Sequence, residues 1–417
     1  MSKLNGNLCK IEQNELIYLI NEEEKQASVI GHTNTNCNIF IPQSILYKSN
    51  QYIVTKISEK AFSTISIKSV QFPFDSEIRI IENKAFQDSG IDSISIPSHV
   101  TQIGESAFNH CKNLKKVEIP HNSDLQIIGK NSFSETNIES FTIPPHVTII
   151  SEFAFTFCFE LKTIEILPNS ELKIIDKNAF SASAIERFTI PHHLRTIGQS
   201  AFSLCYNLND IEIPINSDLQ TIEEGAFFGS MIEKITISKN LVDLKFGWCD
   251  QTINVNKIIV SPNNPIYSCF GEKFVIGKSS IENDEYDVLV FCVRNIDMKV
   301  IIPSFIKRIE SYSFCCCEKL SVIEIPEDSK LQTIGYGAFC LSSVECLTIP
   351  SNLTDLQDGW CLETDKLTKI FVSKNNPRYS LYEDKIIIGK STIENDVYDV
   401  LVFSVRNIEK VKIEQVH

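Results

Sequence analysis

The sequence lacks a long hydrophobic run. A helix needs about 20 mostly apolar residues to cross a bilayer, and no uninterrupted stretch approaches that length. Near the N-terminus the longest apolar run is Leu16–Ile20, which an asparagine and three glutamates follow. A secretory signal has a longer apolar segment behind a basic start. We therefore expect neither a signal peptide nor a membrane span.

Basic clusters are also missing. The 417 residues include 39 Lys and Arg against 53 Asp and Glu, which gives a formal charge of -14. Because nucleic-acid binding depends on clustered cations that neutralise phosphates, the composition argues against a nucleic-acid partner. No polybasic segment suggests attachment to anionic lipid either. The 43% of hydrophobic residues is ample for a globular core.

What the sequence does contain is a repeat. The segment Thr101–Pro120, TQIGESAFNHCKNLKKVEIP, returns at Arg195–Pro214 and, less closely, at Lys307–Pro326. A phenylalanine after Ala or Ser marks each copy, and from Phe86 the steps alternate between 22 and 25 residues, a double repeat of 47. One copy cannot bury its own apolar face, so we expect stacked copies whose short strands pair in parallel about 4.8 Å apart. The turn phenylalanines of the regular array are Phe62, Phe86, Phe108, Phe133, Phe155, Phe180, Phe202 and Phe227.

The pattern Leu-x-x-Ile-x-Ile-Pro followed by Ile-Gly-x-x-Ala-Phe-x-x-Cys-x-x-Leu resembles the Treponema-type leucine-rich repeat of BspA-like surface antigens, which occur in bacteria and trichomonads. The resemblance covers roughly residues 39–417. It implies a leucine-rich-repeat solenoid, a β-rich right-handed horseshoe of the α/β type. One parallel sheet would face short helical or turn segments. It also implies surface display and adhesion to host or neighbouring-cell proteins.

The organisation predicted from the repeat has three parts. Residues 1–52 form an N-terminal cap with a hairpin, and residues 53–246 hold the regular repeats. Residues 247–417 hold two further repeats between two hairpin blocks, 247–296 and 359–408, which are identical at 32 of 50 positions. The chain ends on VKIEQVH with no polar cap. We expect either a partner to cover that end or the natural protein to be longer.

Three of the fourteen cysteines, Cys111, Cys158 and Cys205, recur at intervals of 47 residues. Column neighbours would lie two strands apart, about 10 Å, whereas a disulfide needs Cα atoms within about 7 Å. The spacing therefore predicts a buried ladder of unpaired thiols, a pattern that favours a reducing site. Cys317 occupies the same repeat position, and Cys315-Cys316-Cys317 lacks the spacing of a zinc site.

No residue set points to a metal, a cofactor or catalysis. His99, His146 and His193 also recur every 47 residues, and the same separation of about 10 Å predicts exposed loop residues that cannot share one ion. Gly277-Lys278-Ser279 and Gly389-Lys390-Ser391 imitate a phosphate loop, but the required earlier glycine is Glu272 or Asp384. We expect hairpin turns at both segments and no bound nucleotide.

The candidate binding face is a row of outward strand residues, one from each copy. On a solenoid these residues would form a line in which carboxylates and hydroxyls alternate. One interpretation is a solvated sheet face, because Thr favours strands and alternation separates like charges. The other is an acidic track that receives a basic or extended protein partner. The row consists of Ser95, Glu118, Thr142, Glu165, Thr189, Glu212, Thr236, Glu324 and Thr348.

The sequence thus predicts a non-enzymatic protein-binding solenoid without cofactors, an adhesin-like surface antigen by resemblance. An intracellular interaction scaffold is the alternative, since no signal peptide is recognisable. The resemblance favours the cell surface, and the missing signal favours the cytoplasm. We expect a monomer unless the uncapped C-terminal end pairs with another chain.

Overall fold

A computed structural model describes residues 3–4, 8–33, 37–280, 282, 284–394 and 397–404. These residues form strands and turns, with no helix among them. The chain divides into two compact units. Unit 1 comprises Met1–Ser230 with Asp243–Trp248, and unit 2 comprises Met231–Val242 with Cys249–His417. The domain boundaries expected from the repeat stay a prediction.

Unit 1 begins with an antiparallel meander. Alternating apolar residues of LIYLI bury Leu16, Tyr18 and Ile20, as the period of a strand requires. The first four strands pair antiparallel, so LIYLI and ASVI form the expected hairpin, and the fourth strand pairs in parallel with the seventh. The strands are β1 (Lys3–Leu4), β2 (Leu8–Gln13), β3 (Leu16–Asn21), β4 (Gln26–His32), β5 (Asn38–Phe40), β6 (Ser44–Tyr47) and β7 (Asn50–Ile57).

The regular repeats of unit 1 contribute two parallel rows of strands, where one sheet was expected. From β8 onwards, we call the even-numbered strands of unit 1 the front strands and its odd-numbered strands the back strands. Each back strand pairs with the back strand of the next repeat without interruption, starting from β7. The group is β8 (Ser69–Gln71), β9 (Ile80–Ile81), β10 (Ser93–Ser95), β11 (Gln102–Ile103), β12 (Lys116–Glu118), β13 (Ile127–Ile128), β14 (Ser140–Ile143), β15 (Ile149–Ile150), β16 (Thr163–Ile166), β17 (Ile174–Ile175), β18 (Arg187–Thr189), β19 (Thr196–Ile197), β20 (Asp210–Glu212), β21 (Thr221–Ile222), β22 (Lys234–Ile237, in unit 2) and β23 (Asp243–Leu244).

Turns, not helices, connect the back strands to the front strands. The residues two before and two after each turn phenylalanine have positive φ, for example Ser106 at 56° and His110 at 59° around Phe108. Two left-handed residues so close together end any helical turn. The turn backbones of successive repeats hydrogen-bond to each other, as between Phe86 N and Ala107 O at 2.7 Å. The solenoid fold is confirmed, with turns in place of helical segments.

The core of unit 1 is an unbroken ladder of phenylalanine rings. All eight turn phenylalanines are fully buried, and neighbouring ring centroids lie 4.9–5.7 Å apart, nearly parallel. Phe141 and Phe188 pack against this ladder at steep angles. Gly129 completes the packing, because a Cβ there would lie 2.6 Å from Ile103 O of the preceding repeat. Neighbouring copies therefore stack at a separation that the backbone itself limits.

Unit 2 repeats this architecture with a hairpin inserted in each of two copies. In the first hairpin β27 also pairs in parallel with β29, so the insert continues the row of back strands. Its strands after β22 are β24 (Lys257–Val260), β25 (Tyr267–Phe270), β26 (Phe274–Gly277), β27 (Val288–Cys292), β28 (Lys299–Ile301), β29 (Arg308–Ile309), β30 (Val322–Glu324), β31 (Thr333–Ile334), β32 (Cys346–Ile349), β33 (Asp355–Leu356), β34 (Lys369–Val372), β35 (Tyr379–Tyr382), β36 (Ile386–Gly389) and β37 (Val400–Ser404).

The two hairpins are built alike. Buried Asn264 donates to Ser238 O and Leu241 O at 2.7 and 2.8 Å, and its Oδ1 accepts from two backbone amides. Asn376 makes the same four bonds in the second block. These contacts anchor each hairpin to the preceding repeat, which explains why the block recurs as a unit. The expected uncapped C-terminal end lies outside the described residues.

Candidate protein-binding face

The predicted row of outward residues is mostly exposed. In unit 1, Thr142 is half-buried and the other members are exposed. In unit 2, Glu324 is exposed and Thr348 is half-buried, but Thr236 is only 6% exposed. Thr236 therefore presents no surface to a partner. The exposed members in unit 1 are Ser95, Glu118, Glu165, Thr189 and Glu212.

Hydroxyls and carboxylates of the row are coupled in pairs. Thr142 Oγ1 donates to Glu165 Oε2 at 3.2 Å, and Thr189 Oγ1 donates to Glu212 Oε2 at 3.5 Å. Each pair joins a front strand to the next one along the chain, in register. The alternation seen in the sequence is therefore a set of hydrogen-bonded pairs in unit 1.

A second row of outward residues lies two positions earlier on each strand and adds positive charge to the face. Lys116 Nζ lies 2.5 Å from a carboxylate oxygen of Glu118, and its hydrogen bond and charge lower the pKa of Glu118. In unit 2, Lys299 on β28 contacts Glu324 on the neighbouring strand β30. Arg187 lies on β18 and is exposed as well. The face carries mixed charge, which sequence reasoning missed because it followed one row.

In unit 2 the corresponding strands β28, β30, β32 and β34 expose two large apolar side chains. Ile301 and Phe371 are 57% and 56% exposed, and they lie in register beside Glu324 and Thr348. The face of unit 2 is therefore apolar at these two positions.

A groove interrupts the front strands of unit 1 between β16 and β18. Among the described residues, β16 forms a ladder with β14, and β18 forms one with β20, but the two strands form none with each other. One backbone bond, from Glu186 N to Lys162 O at 3.3 Å, joins them before they separate. The groove encloses about 760 Å³ and is bordered by Lys162, Ile164, Arg187, His192 and His193, among others. The edges of β16 and β18 face each other across it without forming a ladder.

An extra residue accompanies this gap. Pro120 and Pro214 come 12 residues after their turn phenylalanines, whereas Pro168 comes 13 after Phe155 because Leu167 is added. Leu167 N bonds back to Ile143 O at 3.1 Å, which extends the pairing of β16 with β14. Ile164 becomes half-buried, whereas Ile211 at the same position of β20 is fully buried. The added leucine was the sequence signal that could have revealed the groove.

Three equivalent loops lie beside the front strands. As expected, His99, His146 and His193 are exposed. Each ring nitrogen Nδ1 contacts a carboxylate 25 residues later, in Asp124, Glu171 and Asp218, at 3.0, 3.3 and 3.0 Å. The longer step of the double repeat supplies these acids. Only the third loop has a second histidine, because His192 precedes His193 there.

The comparisons with known proteins agree with this geometry. A family model described as the BspA type leucine-rich repeat region matches residues 35–145, 126–251 and 289–397, in six copies. These matches span more than half of the chain. The chain belongs to the BspA-type leucine-rich repeat family. No curated protein has a sequence that matches it.

Solved structures of similar fold share little sequence with this BspA-type chain. A leucine-rich cell surface protein from Faecalibacterium prausnitzii is 20% identical, with 87% of this chain and 88% of that one aligned and a TM-score of 0.53. The pneumococcal vaccine antigen PcpA is 19% identical over 88% and 82%, with a TM-score of 0.48. A leucine-rich repeat protein from Bacteroides ovatus is 20% identical over 87% and 100%, with a TM-score of 0.46. At this identity the likeness concerns the fold alone.

The thiol column of the BspA-type repeats is buried, as predicted. Cys111, Cys158 and Cys205 are fully buried, and each donates to the carbonyl of a turn phenylalanine in the preceding repeat at 3.0–3.1 Å. Each also contacts the Ser or Thr hydroxyl of that repeat at 3.4 Å. Burial raises the pKa of all three thiols to about 11. They are inert core residues.

The two phosphate-loop imitations are hairpin turns, as predicted. Ser279 donates through its amide and its hydroxyl to the Asp287 carboxylate, both at 3.0 Å, and Ser391 binds Asp399 in the same way at 2.7 Å. A carboxylate thus occupies the position where a phosphate loop would hold phosphate. Across the described residues, no helix is long and apolar enough to span a bilayer.

Proposed function

We propose that this BspA-type chain is a non-enzymatic binding protein whose unit 1 front face takes an extended segment of a partner protein in the groove between β16 and β18. The observation that carries the proposal is the pair of unpaired strand edges on either side of an open groove. An added strand would supply the backbone donors and acceptors that these edges lack, which is a common mode of peptide recognition.

Side chains around the groove define the partner segment further. Lys162 and Arg187 are exposed at its border, against one acid, Glu186. We therefore expect the segment to carry an acidic residue there. Beyond the groove, Glu165 and Glu212 continue the row of coupled carboxylates, which favours basic residues in the flanking parts of the segment.

Peptide display tests this proposal. A library of extended peptides is selected on the full chain, and the bound peptides are measured against the double variant Lys162→Glu/Arg187→Glu. We expect at least a tenfold loss of affinity. Lys115→Glu is the matched control, because Lys115 is also exposed and occupies the position of Lys162 one double repeat earlier, away from the groove. Peptides that lose as much affinity with the control, or none with the double variant, would exclude the groove.

The carboxylate row has its own test. The triple variant Glu118→Gln/Glu165→Gln/Glu212→Gln leaves the shape of the face and removes its negative charge. Basic peptides should then bind several-fold more weakly, with the loss diminishing at high salt. Unchanged binding would mean that the row is only a solvated surface and does not contact the peptides.

We further propose that the protein acts as an adhesin-like surface antigen that contacts host or neighbouring-cell proteins. Family membership and the open face support this role. Antibody labelling of intact and permeabilised cells of the source organism tests it. Labelling of intact cells is the expected result. Labelling only after permeabilisation would overturn the surface role and favour an intracellular interaction scaffold.

A further inference from the structure

Two imidazoles and a carboxylate converge beside the groove of unit 1. One ligand atom each from His192, His193 and Asp218 lies within 4.8 Å of the other two. Asp218 N donates to His192 O at 2.9 Å, so the backbone holds the two loops together independently of the side chains. The loop positions are therefore set before any ion arrives.

We propose that His192, His193 and Asp218 bind a divalent transition-metal ion of the zinc, cobalt or nickel type. Imidazole nitrogens and a carboxylate oxygen are donors that suit these ions, and three protein ligands leave further coordination positions open. Because both histidines border the groove, an open position would be accessible from it. The inference does not require that the groove binds a peptide.

The charge of Arg195 acts on Asp218 and therefore opposes a cation at this site. We expect weaker binding than at a buried structural zinc site.

The two equivalent loops provide internal controls. His146 with Glu171 and His99 with Asp124 reproduce the contact of His193 with Asp218, but Pro145 and Ser98 replace His192. Each control loop thus offers one imidazole and one carboxylate on the same scaffold. The second imidazole is the feature that distinguishes the proposed site.

Titration of the full chain with Zn²⁺, and with Co²⁺ followed by visible absorption, tests the proposal. We expect one site whose affinity falls at least tenfold in His192→Ala and is unchanged in His146→Ala. Pro145→His should create a second site of similar affinity at the control loop. Equal losses in His192→Ala and His146→Ala, or no saturable binding up to millimolar zinc, would overturn the site.

A separate observation concerns a thiol cluster in unit 2, which consists of Cys315, Cys316 and Cys340. Cys315 Sγ lies 3.5 Å from Cys316 Sγ and is hydrogen-bonded to the Cys340 thiol as well. Cys315 Sγ also donates to Asp250 Oδ1 at 2.7 Å. Cys315 is fully buried, and its two thiol neighbours are 6% exposed.

A buried cation lies close to this cluster. Arg294 is 3% exposed, its guanidinium lies 4.3 Å from the centre of the Phe291 ring, and it donates to Ser313 O at 3.0 Å. Among the described residues its Nε has no hydrogen-bond partner. A buried charge of this kind needs a negative group nearby. Hydrogen bonds from Cys316 and Cys340, with the charge of Arg294, lower the pKa of Cys315, and burial raises the pKa of Asp250 to about 8.

We infer that Cys315 and Cys340 form a disulfide when the protein meets hydrogen peroxide, and that Cys340, the more exposed of the two, reacts first. Both cysteines follow their turn aromatic by one residue in consecutive repeats, which places them one strand spacing apart, within disulfide reach. The Cys340 thiolate would attack a peroxide oxygen, cleave the O–O bond and release hydroxide. The Cys315 thiol would then attack the resulting sulfenic sulfur, form the S–S bond and release water.

Peptide mapping of the full chain after treatment with hydrogen peroxide tests this second proposal. We expect a Cys315–Cys340 crosslink in the wild type and a dimedone-trapped sulfenic acid at Cys340 in Cys315→Ser. Cys158→Ser is the control and should leave the crosslink unchanged. Oxidation of the Cys111, Cys158 and Cys205 column at the same rate would overturn the proposal, and so would a wild-type crosslink through other cysteines. Both outcomes are measured on the wild type and do not depend on whether a variant folds.

Discussion

Cysteine behaves differently in the two units, although the same repeat presents it. In unit 1 the thiols recur in every second repeat, and each bonds a carbonyl and a hydroxyl of its neighbour. In unit 2, Cys315 and Cys340 occur in consecutive repeats and contact each other beside a buried arginine. A step of two strands isolates a thiol, whereas a step of one strand couples it to the next. Repeat spacing therefore decides whether a buried cysteine is isolated or contacts another thiol.

The largest expected effect concerns the aromatic cores. Phe155 stacks between Phe133 and Phe180, so Phe155→Ala should cost about 4 kcal/mol of unfolding free energy. In unit 2, Phe314 stacks on Phe339 and meets Phe274 edge to face at a longer distance, and Phe314→Ala should cost about 1 kcal/mol less. Urea denaturation followed by circular dichroism measures both. Phe157→Ala, which removes a ring that is 45% exposed, is the control and should cost under about 1 kcal/mol.

A second prediction separates the units by charge. Arg294→Leu removes the buried cation of unit 2 and should cost about 3 kcal/mol, because the groups arranged around it lose their counter-charge. The same change should raise the pKa of Cys315. We expect thiolate absorbance near neutral pH in the wild type, and we expect it to disappear in Arg294→Leu and in Cys315→Ser. If Arg294→Leu is as stable as the wild type and keeps this absorbance, the buried arginine does not explain the difference between the two units.

Alkaline pH should expose the opposite behaviour of unit 1. The folded thiols of its column have pKa values of about 11, above the unfolded value of about 8.5. Folding therefore favours the protonated form, and the stabilisation present below about pH 8.5 is lost as the pH rises towards 11. Each thiol should contribute roughly 3 kcal/mol to this loss. Unfolding measured across that range should be less pH-dependent in Cys158→Ala, and an unchanged slope would contradict the prediction.

The smallest effect is expected on the front face. The side chains of Glu118, Glu165 and Glu212 are exposed, and exposed ion pairs contribute little to stability. The triple Gln variant should therefore unfold within about 0.5 kcal/mol of the wild type. A larger loss, measured by the same denaturation, would mean that the coupled Thr–Glu pairs are structural and not a surface available to partners.

Much of the fold was predictable because the repeat states its own period. The turn phenylalanines, the column of buried cysteines and the first inserted hairpin all lie where periodicity and turn chemistry predict them. The helical alternative for the turns was wrong, because residues on both sides of each phenylalanine have positive φ. The sequence did not reveal this, since residue types such as Ser106 and His110 do not indicate a positive φ. Thr236 was misplaced because its position in the repeat does not reveal what covers it.

The candidate sites were less predictable, since each joins residues from different repeats. The contact of His193 with Asp218 spans 25 residues, and that of Cys315 with Asp250 spans 65. The groove follows from a single added residue, Leu167, whose effect on pairing depends on the strands beside it. None of these contacts follows from the repeat alone.

The sequence by itself determined the repeat, its alternating step, the inward residues and the absence of disulfides within the cysteine column. These features depend on periodicity, which any stacked copy must obey. Only the tertiary structure decided where front strands separate, which carboxylate reaches which histidine, and which thiols touch. Those outcomes depend on distances between side chains of neighbouring repeats, and hydrogen bonds and packing set such distances only after the copies have stacked.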